Sequence, residues 1–189
     1  VGLGNPDGKY AKNRHNLGFM VIDEIIKNYV VSPHINKKFE AILYFLDKNK
    51  LLIKPQIFMN DSGRAVRKVV NFYKVETKNL LVVHDDVDLE FGQYKLQFAR
   101  GSAGHKGVES VIEALGSVEF NRARIGIGRP PAAAGPILVV TFATSSENEG
   151  PKDFLLLTIK QLKFKFIFFS NNKSFFPKSN QIKDGQREN

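Results

Sequence analysis

Apolar positions along this chain switch repeatedly between helical and strand spacing. Leu17, Val21, Ile25 and Tyr29 recur at four-residue steps with Ile22 and Ile26 on the flank, which predicts a core-facing helix from about Asn16. Phe39 to Leu46 and Leu51 to Lys54 read as strands joined by the polar turn Asp47 to Lys50, a hairpin that Pro55 ends. From about Asp61 a second helix presents Val66, Val69, Val70 and Tyr73 on one face. The wholly apolar run Leu80 to Val83 has the character of a buried strand. Tyr94 to Phe98 predicts another strand, and the Gly/Ser/Ala loop at 101 to 104 leads into a helix carrying Val108, Val111, Ile112 and Leu115, with Gly116 at its C-cap. Arg122 to Ile127 is expected to close the sheet, and Val1 to Leu3 reads as the tail of an opening strand. The alternation of strands and helices predicts an α/β fold.

A chain of 189 residues that is 42% hydrophobic suits one domain with a sizeable core. It contains no cysteine, which excludes disulfides, a thiolate nucleophile and Cys-ligated metal. The opening Val1, already inside a strand pattern, leads us to expect missing N-terminal residues. The net charge of +9 favours polyanionic partners. Residues 151 to 189, however, carry 8 Lys/Arg against 3 Asp/Glu, so the body is only mildly basic.

Familiar motifs narrow the chemistry by failing. GLGNPDG imitates a dinucleotide fingerprint, but its third glycine comes one position late. The sequence has no Walker lysine, no G-x-S-x-G elbow and no H-E-x-x-H helix. His84, Asp85, Asp86 and Asp88 resemble metal ligands, yet alternate strand side chains face opposite ways and cannot all converge without a bend. A solvated acidic turn is the expected reading, with Asp85 just past the carboxyl end of the strand, where open α/β sheets place ligands.

What remains is hydrolysis by an activated water. A neutral imidazole takes a proton from water near physiological pH, and a carboxylate on its other nitrogen fixes the tautomer. His15 and Asp85 are the candidates, each beside a loop. Taken singly, His15 also suits a helix cap. Asn5, Asn16 and Asn60 could hold a peptide backbone through paired donors and acceptors, and each also suits a turn.

GLGNP with RHN ten residues on, FMNDSG, HDDVDL, SAGHKGVESVIEALG and FNRARIGIGRP closely resemble, in sequence and order, the bacterial peptidyl-tRNA hydrolase family over about residues 1 to 130. The resemblance implies a single α/β domain with a twisted mixed β-sheet flanked by helices, monomeric and cytoplasmic. It implies cleavage of the ester joining a peptide to the 3′ end of tRNA, recycling tRNA from abortive translation, with no metal and no cofactor. Carried over by motif, it makes His15 the base that activates water and Asp85 its orienting partner. Asn5 and Asn60 would hold the peptidyl part, Tyr10 and Met59 would line the groove, and Arg124 would contact the tRNA 5′ phosphate. Backbone amides of the Gly101 to Gly104 loop are candidate oxyanion donors, to be tested with proline at Ser102 or Ala103.

The chain departs from the family pattern in three places. Lys106 replaces a substrate-holding asparagine, and an ammonium donates hydrogen bonds but accepts none. Gln97 stands where many members have a basic residue of the phosphate clamp, which would weaken the electrostatic part of tRNA recognition. The third departure separates a divergent tail at 151 to 189 from a hydrolase-like domain at 1 to 150. FLLLTIKQLKFKFIFFSNNKSFFPKSN holds all 7 of the Phe found after residue 150, and Lys160, Lys163 and Lys165 interrupt any membrane span. It reads as a poorly packed tail, an altered reading frame or an aromatic RNA-contacting extension. The rival function is a non-catalytic, splicing-factor-like RNA-binding protein on the same scaffold.

Overall fold

The computed structural model describes residues 1 to 129 apart from 12 and 92. The expected tail at 151 to 189 and the domain boundary at 150 lie outside the described residues. Three helices, α1 (Leu17–Ile26), α2 (Ser62–Phe72) and α3 (Lys106–Leu115), accompany six strands. β1 (His34–Asn36), β2 (Ala41–Asp47) and β3 (Lys50–Pro55) form an antiparallel sheet in that order. β4 (Leu81–Asp86), β5 (Tyr94–Phe98) and β6 (Asn121–Gly126) form a second sheet in the order β4-β6-β5, with β4 and β6 parallel and β5 antiparallel to β6. The opening segment joins the two sheets. Gly2 N donates to Ile53 O and Leu3 N to Val83 O, each at 3.0 Å, so the mixed sheet is continuous from β1 to β5.

Helices cover both faces of this layer. Leu17, Val21, Ile22 and Ile25 of α1 bury against Tyr44, Leu52, Val83, Ala123 and Ile125. Val66, Val69 and Val70 of α2 and Val108 and Val111 of α3 bury on the other face against Leu3, Leu43, Ile53 and Val82. Val82 and Val83 therefore look to opposite cores, as a strand's period of two requires. Each such aliphatic side chain, fully buried, contributes about 1.5–3 kcal/mol relative to exposure. α1 lies close to the sheet because Gly18 has no side chain: a Cβ there would sit 2.3 Å from Leu3 N and 2.5 Å from Val83 O. That approach brings the residues just before α1 down onto β4.

Several expectations need correction. β1 was not foreseen, since three residues with no apolar alternation give too little pattern. Tyr29 lies beyond α1, which ends at Ile26, and is 37% exposed. β6 does not close the sheet but lies between β4 and β5. Asp85 is inside β4 rather than past its end, because the ladder to β6 continues through Asp86↔Gly126 and Ile127 N donates to Asp86 O. His84, Asp85 and Asp86 are accordingly buried and not a solvated turn. Only Val87 and Asp88, beyond the strand, turn out to solvent. Gly116 takes φ 63 at the C-cap of α3, as expected.

Candidate active site

Local hydrogen bonding fixes the position of His15. The Asn13 side chain accepts from His15 N at 3.0 Å and caps the short 3-10 turn Arg14–Asn16, which runs directly into α1. Asn16 is buried and pairs reciprocally with Asn5: Asn5 N donates to Asn16 Oδ1 at 2.8 Å and Asn16 Nδ2 donates to Asn5 O at 2.9 Å. The two loops that flank the opening strand are thereby tied together. With its backbone so held, the His15 ring is 58% exposed while its Nδ1 lies 2.7 Å from Asp85 Oδ2. The carboxylate accepts from Nδ1–H, so Nε2 is the ring nitrogen left with the free lone pair.

The other carboxylate oxygen is also taken. His105 Nε2 lies 3.0 Å from Asp85 Oδ1, and His105 Nδ1 accepts from Gly107 N at 3.1 Å and Val108 N at 3.2 Å as the N-cap of α3. An imidazole whose Nδ1 accepts two backbone N–H groups must carry its proton on Nε2, and that proton is donated to Asp85. Burial pushes the Asp85 carboxyl up, but the hydrogen bonds from His105 and His15 outweigh it and hold the group well below the usual carboxylate range. The bond from Asp85 raises the His15 pKa above its ordinary 6.5, against a smaller opposing effect of burial. His105 is the functional residue that sequence reasoning missed. The available signal was its place immediately before a helical run, where Ser, Thr, Asp or Asn ordinarily cap.

The remaining predicted residues divide between this site and its surroundings. Asn5 Oδ1 accepts from Met59 N at 2.8 Å, which assigns the orientation of the carboxamide and leaves its Nδ2 donors to be offered elsewhere. Met59 and the exposed Asn60 lie in the 3-10 turn Met59–Asp61. Met59 packs at the start of α3, where a Cβ on Gly107 would sit 2.5 Å from its sulfur and 3.2 Å from His105 Cε1. The structure thus brings Asn5, Met59, His105, Asp85 and His15 into one neighbourhood. Tyr10, half-buried in the 3-10 turn Gly8–Tyr10, carries the Lys9 ammonium 4.9 Å above its ring. Lys106, first residue of α3, points its ammonium at Glu109 Oε2, 3.0 Å away, and stays 74% exposed. In the Gly101 to Gly104 loop the Gly104 N–H is directed at Ser102 Oγ at 3.3 Å, and Ala103 has φ 51, which proline cannot adopt. The proline test of oxyanion donation therefore belongs to Ser102 alone. Among the described residues no group of three or more His, Asp or Glu is placed to hold a metal ion.

On the α3 face of the same sheet lies a second polar cluster. Arg124 Nε donates to Asp86 Oδ2 at 2.5 Å and Arg124 Nη1 to Gln97 Oε1 at 3.1 Å. Gln97 Oε1 also accepts from Arg122 Nη2 at 3.3 Å. Burial raises the Asp86 pKa, but the Arg124 hydrogen bond and the Asp88 N–H more than offset it, so the group stays below its ordinary value. Gln97, noted in the sequence only as a lost charge, here serves as a shared acceptor for two guanidinium groups.

Comparison with known proteins places this geometry in context. A family model described as Peptidyl-tRNA hydrolase matches residues 1–167, beyond the last of the motifs quoted above. A peptidyl-tRNA hydrolase of Syntrophomonas wolfei is 45% identical over 154 residues, covering 80% of this chain and 82% of that protein. One from Lawsonia intracellularis is 49% identical over 134 residues, covering 69% and 67%. Among solved structures, the Arg119Gln mutant of peptidyl-tRNA hydrolase from Acinetobacter baumannii superposes with a TM-score of 0.68 at 26% identity, over 93% of this chain and 92% of that one.

Proposed function

Because the chain belongs to the peptidyl-tRNA hydrolase family, we propose that it hydrolyses the ester between peptide and tRNA with His15 as general base and Asp85 as the group that orients it. The observation that supports this reading is the carboxylate of Asp85, 2% exposed, with one oxygen on each of two imidazoles. Of those two imidazoles, His105 has its other nitrogen taken by the Gly107 and Val108 N–H groups, whereas the His15 side chain is 58% exposed. His15 Nε2 takes a proton from water as the water oxygen attacks the ester carbonyl. The imidazolium formed, stabilised by Asp85, returns that proton to the departing ribose oxygen. General-base assistance of this kind contributes about 10²- to 10⁴-fold, and substrate positioning and oxyanion stabilisation supply the remainder.

Asn5 offers its Nδ2 donors to the peptidyl backbone, with Asn60, Met59 and Tyr10 completing the groove. Lys106 lies at its edge, neutralised by Glu109. Arg124 meets the 5′ phosphate of the tRNA from the far side of the sheet. No described helix is long and apolar enough to cross a membrane, and we read the protein as a monomer working in the cytoplasm, where translation strands peptidyl-tRNA. The names of the relatives support hydrolysis and give none to a splicing-factor-like role. The test is release of N-acetyl-amino acid from a defined N-acetyl-aminoacyl-tRNA by the unmodified chain. Release is expected; tRNA bound without cleavage would contradict the proposal and favour the RNA-binding reading.

A further inference from the structure

His84 is a buried histidine that the reaction just described leaves unused. It precedes Asp85 on β4, so its side chain leaves the opposite face of the sheet, the face covered by α3. Its ring is 1% exposed and stacks edge-to-face on His105, with centroids 4.6 Å apart and planes at 63°. Its Nδ1 lies 2.7 Å from the backbone carbonyl of Asp85. Strand geometry explains why that carbonyl needs a donor. Val83 N and O bond to Val1 O and Leu3 N of the opening segment, and the period of two turns the Asp85 carbonyl the same way, one step beyond the last of those bonds.

We propose that His84 is a positioning residue, a buried neutral imidazole that ties down the Asp85 main chain and braces the His105 ring, so that one carboxylate oxygen faces His105 and the other faces His15. This inference rests on the reading of His15 and Asp85 as the water-activating pair. Two features suit a brace and not a second acid or base. The Nδ1 proton is committed to a carbonyl, and the buried Nε2 has no hydrogen-bond partner, a cost that an ordinary core residue such as valine would avoid. The surrounding groups, His105 before α3, Arg122 on β6, and Asp85 and Asp86 on β4, provide no acceptor for a proton on Nε2. Burial, with His105 and Arg122 adding to it, lowers the His84 pKa to about 3, so the ring stays uncharged where the enzyme works. A phenyl ring would fill the same space but could not donate to the Asp85 carbonyl.

The test compares His84→Phe, which keeps a ring and loses the donor, with His84→Asn, which keeps a donor and loses the ring. Single-turnover rates on N-acetyl-aminoacyl-tRNA are measured across pH, and the His15 imidazole is titrated by NMR in the same folded proteins. In His84→Phe we expect kcat to fall about tenfold, the effect of one hydrogen bond, with KM unchanged. The His15 titration should move down toward its ordinary value as the Asp85 bond loosens. His84→Asn should fall between this variant and the parent in both readouts, and it carries the test if His84→Phe does not fold. An unshifted His15 titration in either folded variant, whatever the rate, would overturn the proposal. His15→Ala separates the two levels of inference. Full turnover in His15→Ala removes the pair itself, whereas a dead His15→Ala beside an unchanged His84→Phe removes only the role of His84.

Discussion

Asp85 and Asp86 are consecutive residues on one strand, both buried and both held below the ordinary carboxylate pKa, yet they hold different kinds of partner. Asp85 faces α1 and shares its oxygens between two imidazoles, His105, fixed by its cap on α3, and the half-exposed His15, whose protonation can change near neutral pH. Asp86 faces α3 and holds Arg124, whose charge is permanent. A buried carboxylate stabilises whatever cation or donor it is given, so the partner determines the outcome. With an imidazole half open to water, the pair can move a proton. With a guanidinium whose side chain is 14% exposed and further bound by Gln97, it forms a fixed ion pair that can only hold and orient. The strand's period of two places the His15–Asp85 pair on one face of the sheet and the Asp86–Arg124 pair on the other.

Asp85→Asn should break this comparison most severely. An amide in place of the carboxylate offers a donor where two imidazoles expect acceptors, and loss of an orienting carboxylate lowers kcat by about 10⁴-fold, measured by single turnover at saturating substrate. The same residue gives a stability prediction with a definite sign. Because the folded pKa of Asp85 is depressed, its contribution is present above its ordinary 3.8 and lost as pH falls through the folded value. Asp85→Asn should therefore flatten that part of the acid-unfolding curve. Asp86→Asn should act on the other side of the sheet, lowering stability by about 1.5–3 kcal/mol, the range for a hydrogen bond to a charged group, because the half-buried Arg124 guanidinium loses its charged partner and keeps only Gln97, as read by urea unfolding. Its kcat should change far less than that of Asp85→Asn.

Smaller changes sharpen the contrast. His105→Asn keeps a side-chain oxygen to cap Gly107 and Val108 but loses the donor to Asp85. It should lower kcat by about tenfold to a hundredfold, the loss of one hydrogen bond to a charged group, without altering tRNA affinity. Lys106→Asn should change the rate by no more than about fivefold, since its ammonium is exposed and bound to Glu109, an interaction of the weak surface class. A larger gain would show that the asparagine usual in the family makes a substrate contact that the lysine forfeits.

Much of this was legible in the chain. Apolar spacing placed α2 within a residue of its start, and Gly116 marked the end of α3 because a left-handed residue there favours glycine. The motifs singled out His15 and Asp85 before any contact between them was visible, although 70 residues separate them. The charged stretch at 84 to 86 was misread because burial of a charge depends on partners from distant segments, His15, His105 and Arg124, which no local pattern reveals. The position of β6 between β4 and β5 escaped for the same reason, since a parallel pairing formed across 40 residues leaves no periodic trace. His105 was overlooked beside Lys106 because a histidine cap looks like loop sequence until its Nδ1 is seen accepting from Gly107 and Val108.

The most direct test of the central claim is the pH profile of single-turnover hydrolysis of N-acetyl-aminoacyl-tRNA by the unmodified chain and by His15→Ala, with tRNA binding measured alongside. On the proposed reading His15 acts as a neutral base, and its pKa is raised, so the rate of the unmodified chain should climb with pH through a limb above the ordinary 6.5. In His15→Ala the rate should fall by about 10²- to 10⁴-fold, the limb should vanish and tRNA affinity should persist. A His15→Ala protein that keeps both the rate and the limb would contradict the account and place the base elsewhere.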